Sequence, residues 1–375
     1  AARGTRRERV LAAGIALYML YVVRIGGDFM SGRFLSAPLF ASACLLAHQI
    51  PRAAPRSTAW VGVGALVMSL FGTFPVVLSH PDYELHQEVV FGRDGIADER
   101  KFYYSGAGLS HMSWNLDDWP SFSWAMAGRA LRARDEDLVI QHGNIGFRGY
   151  FAGPRVFFVD EFGLTDALIA RLPAMYRKEW RIGHFDRKLP PGYVETLEAG
   201  GSNRITDPRI AELYNHMHRI TREPLWGAER WRSIWMLNTG RLDHLVPDAT
   251  YRFAGAARVS HERVRTPKEP GDPWDKDTVK FADRGVCVRL AQPARAASLT
   301  IAADANDTLV VFLAGGGRTL GRLQRDGTLR PGMAVDKLPV HTGEEPVDEV
   351  CVFPLFGDGK YSLGYLELEG AGVAN

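Results

Sequence analysis

Three charged residues, Arg24, Asp28 and Arg33, stand in the stretch "YVVRIGGDFMSGRFLSAPLF", Tyr21 to Phe40, with apolar sequence on both sides. A charge next to apolar segments of this kind is costly and needs a reason. Two guanidiniums near a lipid surface make a bidentate cradle for a phosphate. Gly26 and Gly27 let the backbone come close to a ligand. Asp28 would orient one arginine or accept from a sugar hydroxyl. The plainer reading is that Arg24 and Arg33 snorkel from helix ends, with Asp28 paired to one of them.

A second stretch, Gln141 to Asp166, is punctuated by Gly143, Gly146, Gly149 and Gly153 around Asn144. Asp160 directly succeeds the strand-like run "RVFFV", and Gly163 then turns the chain into a helix capped by Thr165 or Asp166. In an α/β layer, ligands gather at the carboxyl ends of strands, where Asp160 falls. Either it binds a sugar there or it caps a sharp turn. The glycines lack the spacing of a dinucleotide or P-loop fingerprint. A third stretch, "WRIGHFDRKLPPGY", gathers Arg181, His184, Asp186 and Arg187. It reads as a phosphate or acid–base cluster, or as a solvated loop. His216 and His218 lie two apart on a helical pattern and point to different sides, so they make no metal pair. No metal site is expected, and no Gly-x-Ser-x-Gly elbow is present.

These residues must be positioned by elements whose patterns change along the chain. Residues 1–79 hold three apolar segments, Val10–Val23, Phe34–Ile50 and Ala59–Ser79. Arginines before the first and between the second and third predict three transmembrane helices by the positive-inside rule. The Arg24–Arg33 loop and residues 80–375 then lie on the outer, periplasmic side of a bacterial plasma membrane. Residues 80–246 mix helix and strand signals and predict an extracytoplasmic α/β domain. "LVIQ" and "RVFFVD" read as buried strands, "TDALIARLPAMYRKEW" as a helix interrupted at Pro173. "DPRIAELYNHMHRI" reads as a helix with Asp207 as N-cap and Pro208 in its first turn. Residues 247–280, rich in proline and charge, read as a linker or long loop. Residues 281–375 carry short β-branched runs separated by turns, which predict an all-β sandwich of jelly-roll type.

The chain of 375 residues has a net charge of +2, which gives no case for nucleic acid. Three cysteines are present. Cys44 lies in an apolar run. Cys287 and Cys351 both lie in strand-like runs, as two buried thiols or, in an oxidising compartment, as a disulfide across adjacent strands. The first residue is not Met, and the basic start has no cleavage site after it. The chain is expected to be part of a longer protein.

The stretches "VRIGGDFMSGRFLSAPLF", "ADERKFYY", "GNIGFRGYFAGPRVFFVDEFGLTDALIARLP" and "WRIGHFDRKLPPGY" together resemble the carboxyl-terminal half of GT-C membrane glycosyltransferases, specifically the terminal β-arabinofuranosyltransferase family. The last strands resemble the jelly-roll module that ends those proteins. The resemblance implies transfer of a sugar, arabinofuranose by analogy, from a polyprenyl-phosphate donor to a cell-envelope glycan, with no separate cofactor. It implies that Arg24, Gly26, Gly27, Asp28 and Arg33 face the donor phosphate and sugar. It assigns Asn144, Asp160, Thr165, Asp166, Arg181 and His184 to outer-domain motifs that serve the acceptor or the structure. The catalytic acid of such enzymes lies in an early external loop, so the catalytic base is expected upstream of this chain. The partners implied are membrane lipid, the lipid-linked donor and the glycan acceptor. Two other classes fit the elements: a non-catalytic, membrane-anchored carbohydrate-binding or sensory protein, and an envelope scaffold.

Overall fold

The computed structural model describes residues 5–27, 33–49, 59–64, 66–67, 99–108, 112, 119–141, 143, 145–178, 183–343 and 345–370. The chain divides into two compact units, Ala1–Ala127 and Gly128–Asn375.

In the first unit, α1 (Arg6–Arg24) and α2 (Ser36–Gln49) pack on each other. Thr5 and Glu8 cap α1 reciprocally, with the Glu8 N–H donating to Thr5 Oγ1 and the Thr5 N–H to Glu8 Oε2. Glu8 also meets His48 of α2 at 3.3 Å, which ties the start of one helix to the end of the other. The helices leave large apolar side chains outward, Leu17, Val23, Leu39 and Phe40 among them. A further helix, α3 (Glu99–Ala107), comes next.

The expected transmembrane helices are overturned. No described helix is long and apolar enough to cross a membrane. The first apolar run is cut short by Arg9 and Arg24, and α2 has 14 residues, about 21 Å of helix against a hydrocarbon core of about 30 Å. Residues 59–64 and 66–67 of the third segment are helical, and its remainder lies outside the described residues. The orientation drawn from the arginines rested on those spans.

The chain passes from the first unit to the second within α4 (Ser123–Ala133), and the second unit continues with β1 (Leu138–Gln141), α5 (Gly146–Ala152) and β2 (Val156–Val159). β1 and β2 pair in parallel, Leu138 opposite Val156 and Gln141 opposite Val159. Within the described residues the sheet has these two strands only. Three helices come after it: α6 (Tyr193–Glu198), α7 (Pro208–Arg222) and α8 (Ala228–Asn238). α7 begins as its sequence dictates, with Asp207 extended and its carboxylate accepting from the Arg209 N–H. Its apolar stripe, Ile210, Leu213 and Met217, is buried against Val159, Leu168, Ile169 and Leu242. The helix expected over residues 165–180 is a single 3₁₀ turn, Ile169–Arg171. Pro173 forces Leu172 into an extended conformation and ends it there.

The 247–280 stretch carries α9 (Asp248–Arg252), β3 (Ala257–Ser260) and the start of β4 (Val279–Phe281). The remaining strands are β5 (Val286–Ala294), β6 (Ser298–Asp304), β7 (Thr308–Gly315), β8 (Arg318–Arg325), β9 (Met333–Pro339), β10 (Val347–Phe356) and β11 (Tyr361–Glu369). They form a five-stranded sheet, β3-β5-β10-β7-β8, and a four-stranded sheet, β4-β11-β6-β9. β3 joins β5 in parallel, and the other pairs are antiparallel.

Alternation explains why the sheets stack. In "VCVRL", Val286 and Val288 face the other sheet and are buried with Leu309, Val311, Ile301 and Leu363. Cys287 faces the opposite way, into a second cluster with Phe312, Phe353 and Phe253, against which Tyr176 packs. The cysteine face of the five-stranded sheet is therefore covered in part as well.

Candidate functional site

The Gly-rich stretch after α1 is built as a helix stop. Gly26 and Gly27 take φ of 94° and 98°, and their N–H groups donate to the carbonyls of Val23 and Val22. Arg24 sits in the last turn, where a cation meets the negative end of the helix dipole. Arg33 opens a 3₁₀ turn, and its carbonyl accepts from Ser36 Oγ at 2.7 Å. Both arginine residues are exposed. Asp28 lies outside the described residues.

The second cluster forms at the carboxyl ends of β1 and β2. Asp160 directly succeeds Val159 and is 1 % exposed. Its carboxylate accepts from the N–H groups of Phe162, Leu164 and Thr165 at 2.8–3.0 Å, and from Thr165 Oγ1 at 3.1 Å. Asp166 is also buried. It accepts from the N–H groups of Leu168 and Ile169 and from the Tyr193 hydroxyl, at 2.8 Å to its nearer oxygen. Burial pushes the pKa of Asp166 up, against those hydrogen bonds, and burial beside Asp166 pushes Tyr193 up strongly. Arg187 closes the loop from the other side, donating to the carbonyls of Leu172 (2.9 Å) and Phe162. Its burial lowers its pKa.

The two carboxylates and the guanidinium thus hold the backbone of the 160–172 turn. They are positioning groups, and the turn reading of Asp160 is the one this geometry favours. The turn presents the Phe162 ring, laid against His184 with centroids 5.1 Å apart. Gly143 permits this, because a Cβ there would stand 2.6 Å from the ring. Thr165 spends its hydroxyl on Asp160. Asn144 and Arg181 lie outside the described residues.

A concavity lies on the cysteine face of the five-stranded sheet. It encloses about 440 Å³, within the usual range of small-molecule sites. Lys188, Thr250, Arg258, Arg289, Asp348 and Glu349 are among the residues that line it. Register brings the charges together: Arg289 pairs with Glu349 across β5 and β10, and Arg258 lies on the neighbouring β3. Arg258 and Glu349 are 3.1 Å apart. Asp348 accepts from the Gly316 N–H at 2.9 Å. A cleft that mixes guanidinium, ammonium, carboxylate and hydroxyl groups over a rigid sheet offers the donors and acceptors that a polyhydroxylated ligand needs. Sequence reasoning missed this cleft. The alternation in "VCVRL" and "DEVCV" does place Arg289 and Glu349 on the cysteine face, but Arg258 falls in the stretch expected to be a linker.

On the same face Cys287 and Cys351 are joined in a disulfide, directly opposite each other in the β5–β10 register. Glu349 is close to both sulfurs, yet sulfurs bonded to each other are not thiolate ligands. Cys44 is free and exposed.

No family model matches the chain. Two curated proteins do. The terminal beta-(1->2)-arabinofuranosyltransferase of Mycobacterium tuberculosis is 30% identical over 234 residues, covering 49% of this chain and 36% of that protein. The protein of the same name from Corynebacterium glutamicum is 26% identical over 259 residues, covering 56% of this chain and 37% of its own length. The chain spans little more than a third of the curated relatives it matches. The resemblance read from its motifs is met, and the chain is similar to terminal beta-(1->2)-arabinofuranosyltransferases.

Proposed function

We propose that the chain is part of a glycosyltransferase that moves arabinofuranose from a polyprenyl-phosphate donor to a cell-envelope glycan on the outer face of a bacterial membrane. The similarity to two arabinofuranosyltransferases carries this reading. In it, Arg24 and Arg33 pair with the donor phosphate and stabilise it as it leaves, and Asp28 orients one of them. The exposed apolar side chains of α1 and α2 support contact with lipid. The polar cleft on the five-stranded sheet holds the acceptor glycan. Bond formation joins the acceptor oxygen to the anomeric carbon while the phosphate oxygen departs, and a general base takes the hydroxyl proton. Asp160 and Asp166 are not that base, because their oxygens are committed to backbone N–H groups and to hydroxyls.

The test of the donor half is Arg33→Ala in the enzyme that contains this chain. Transfer from a polyprenyl-phosphate arabinofuranose should be abolished while expression and folding are kept. Wild-type transfer by that variant removes Arg33 from the donor site. A second reading, a carbohydrate-binding protein without catalysis, is favoured by one observation: Asp160 and Asp166, the buried carboxylates after β2, are committed to holding the turn. It predicts glycan affinity with no turnover in the intact protein.

A further inference from the structure

The tip of the α7–α8 hairpin carries a group of side chains that packing does not explain. Leu225 and Trp226, in the loop between the helices, are 66% and 85% exposed, and Trp231 and Trp235 on α8 are about half exposed. An indole left in water forfeits a large apolar contribution to stability, and three within ten residues are not scattered surface residues. The opposite side of α8 is committed to the fold, where Ser233 is buried and bonds His216 of α7 at 2.9 Å. The outward face is therefore held rigidly. Charge accompanies it: residues 219–241 contain five arginines and two glutamates. The glutamates meet Arg219 and Arg232, which leaves a surplus of positive charge around the indoles.

We infer that this face docks on an anionic lipid surface, with Leu225, Trp226 and Trp231 entering the interface and the arginines meeting lipid phosphates. Tryptophan prefers the headgroup level, where the ring is buried and its N–H stays wet, and arginine pairs with phosphate bidentately. An aliphatic leucine at the very tip suits acyl chains. A glycan platform fits less well. Trp226 and Trp231 stack on each other, with centroids 6.3 Å apart and planes within 20°, and the Arg241 guanidinium covers Trp235 at 4.0 Å. One flat face of each ring is thus already taken. The inference stands apart from the sugar-transfer reading, because it rests on this hairpin alone.

The test uses the full chain with Cys44→Ser and a single reporter cysteine, Leu225→Cys or, as a control, Leu329→Cys, each labelled with an environment-sensitive fluorophore. The probes are vesicles of phosphatidylcholine alone, or of phosphatidylcholine and phosphatidylglycerol in equal parts. The label at position 225 should shift to the blue and be quenched by brominated acyl chains with the anionic vesicles, while the label at 329 stays in water. Adding Trp226→Ala and Trp231→Ala should weaken that response about tenfold or more. No shift at 225, equal shifts at 225 and 329, or an undiminished response in the double-alanine variant would each overturn the inference. So would quenching of the 225 label by soluble glycan in place of lipid, which would make the hairpin a sugar platform. Circular dichroism melts of each variant confirm folding, which these exposed positions should leave unchanged.

Discussion

Asp307 should make the sandwich less stable as pH rises. It is fully buried where β6 turns into β7, and neither carboxylate oxygen has a hydrogen-bond partner. Burial is the largest cause of its raised pKa. Asp304 and Asp358 add to it, while Arg325 and Lys178 oppose it, and the balance pushes Asp307 up to about 7. Arg325 is nearby, but its Nε donates to Asp336 at 2.7 Å and its Nη1 to the carbonyls of Asp304 and Asp307, while its Nη2 is buried without a partner and makes no hydrogen bond to the Asp307 carboxylate. A carboxyl that binds its proton more tightly when folded lends stability that is complete below its unfolded pKa. That stability is lost as pH climbs through the folded pKa. The window here runs from the ordinary 3.8 to about 7. That difference corresponds to about 4 kcal/mol in all, of which about 3 kcal/mol falls between pH 5 and pH 8. Asp304, whose pKa is also raised by burial, acts in the same direction. Urea unfolding at the two pH values, for wild type and Asp307→Asn, measures the effect. The wild type should lose stability on going to pH 8, and the isosteric variant should lose markedly less. Equal pH dependence in the two proteins, or a wild type that gains stability with pH, would refute the reasoning.

Two further predictions concern the scaffold. The Cys287–Cys351 disulfide closes a loop with a sequence separation of 64. By loop entropy, Cys287→Ser with Cys351→Ser should cost about 4 kcal/mol, read as a fall in the denaturation midpoint under oxidising conditions and no fall under reductant relative to reduced wild type. An unchanged oxidised midpoint would show that the bridge is not formed in solution. Asp160→Ala strips the acceptor from three part-buried backbone N–H groups and one hydroxyl, and should cost roughly 3 kcal/mol. A melt within a degree of wild type would return Asp160 to the ligand-binding candidates.

Local signals in the sequence are legible where short-range physics decides the outcome. Asp207 and Pro208 announce α7, and the β-branched runs from Val286 onward announce the strands of the sandwich. Pro173 announces an interruption, but its effect on Leu172 reduces the expected helix to one turn. The runs at the start of the chain are legible as apolar. Their reading as membrane spans fails because Arg24 and the glycines stop α1 early and α2 is short. β3 is hidden because its partner β5 lies beyond a stretch full of proline and charge, and a parallel pairing leaves no hairpin signature. The polar cleft is hidden for a related reason. Arg258, Arg289 and Glu349 are far apart in sequence and meet only through the order of strands. For Asp160 the sequence allows a turn or a ligand, and the four hydrogen bonds its carboxylate accepts favour the turn.

The most direct measurement is a titration of the chain with a short synthetic arabinofuranoside, read by saturation-transfer difference spectroscopy and calorimetry, for wild type and Arg289→Ala. Arg289 is exposed in the cleft, so the variant should fold normally. An acceptor site in the cleft predicts saturable binding by the wild type, weakened about tenfold or more in the variant. No binding by a folded wild-type chain, or equal binding by both proteins, would contradict the placement of the acceptor on the five-stranded sheet.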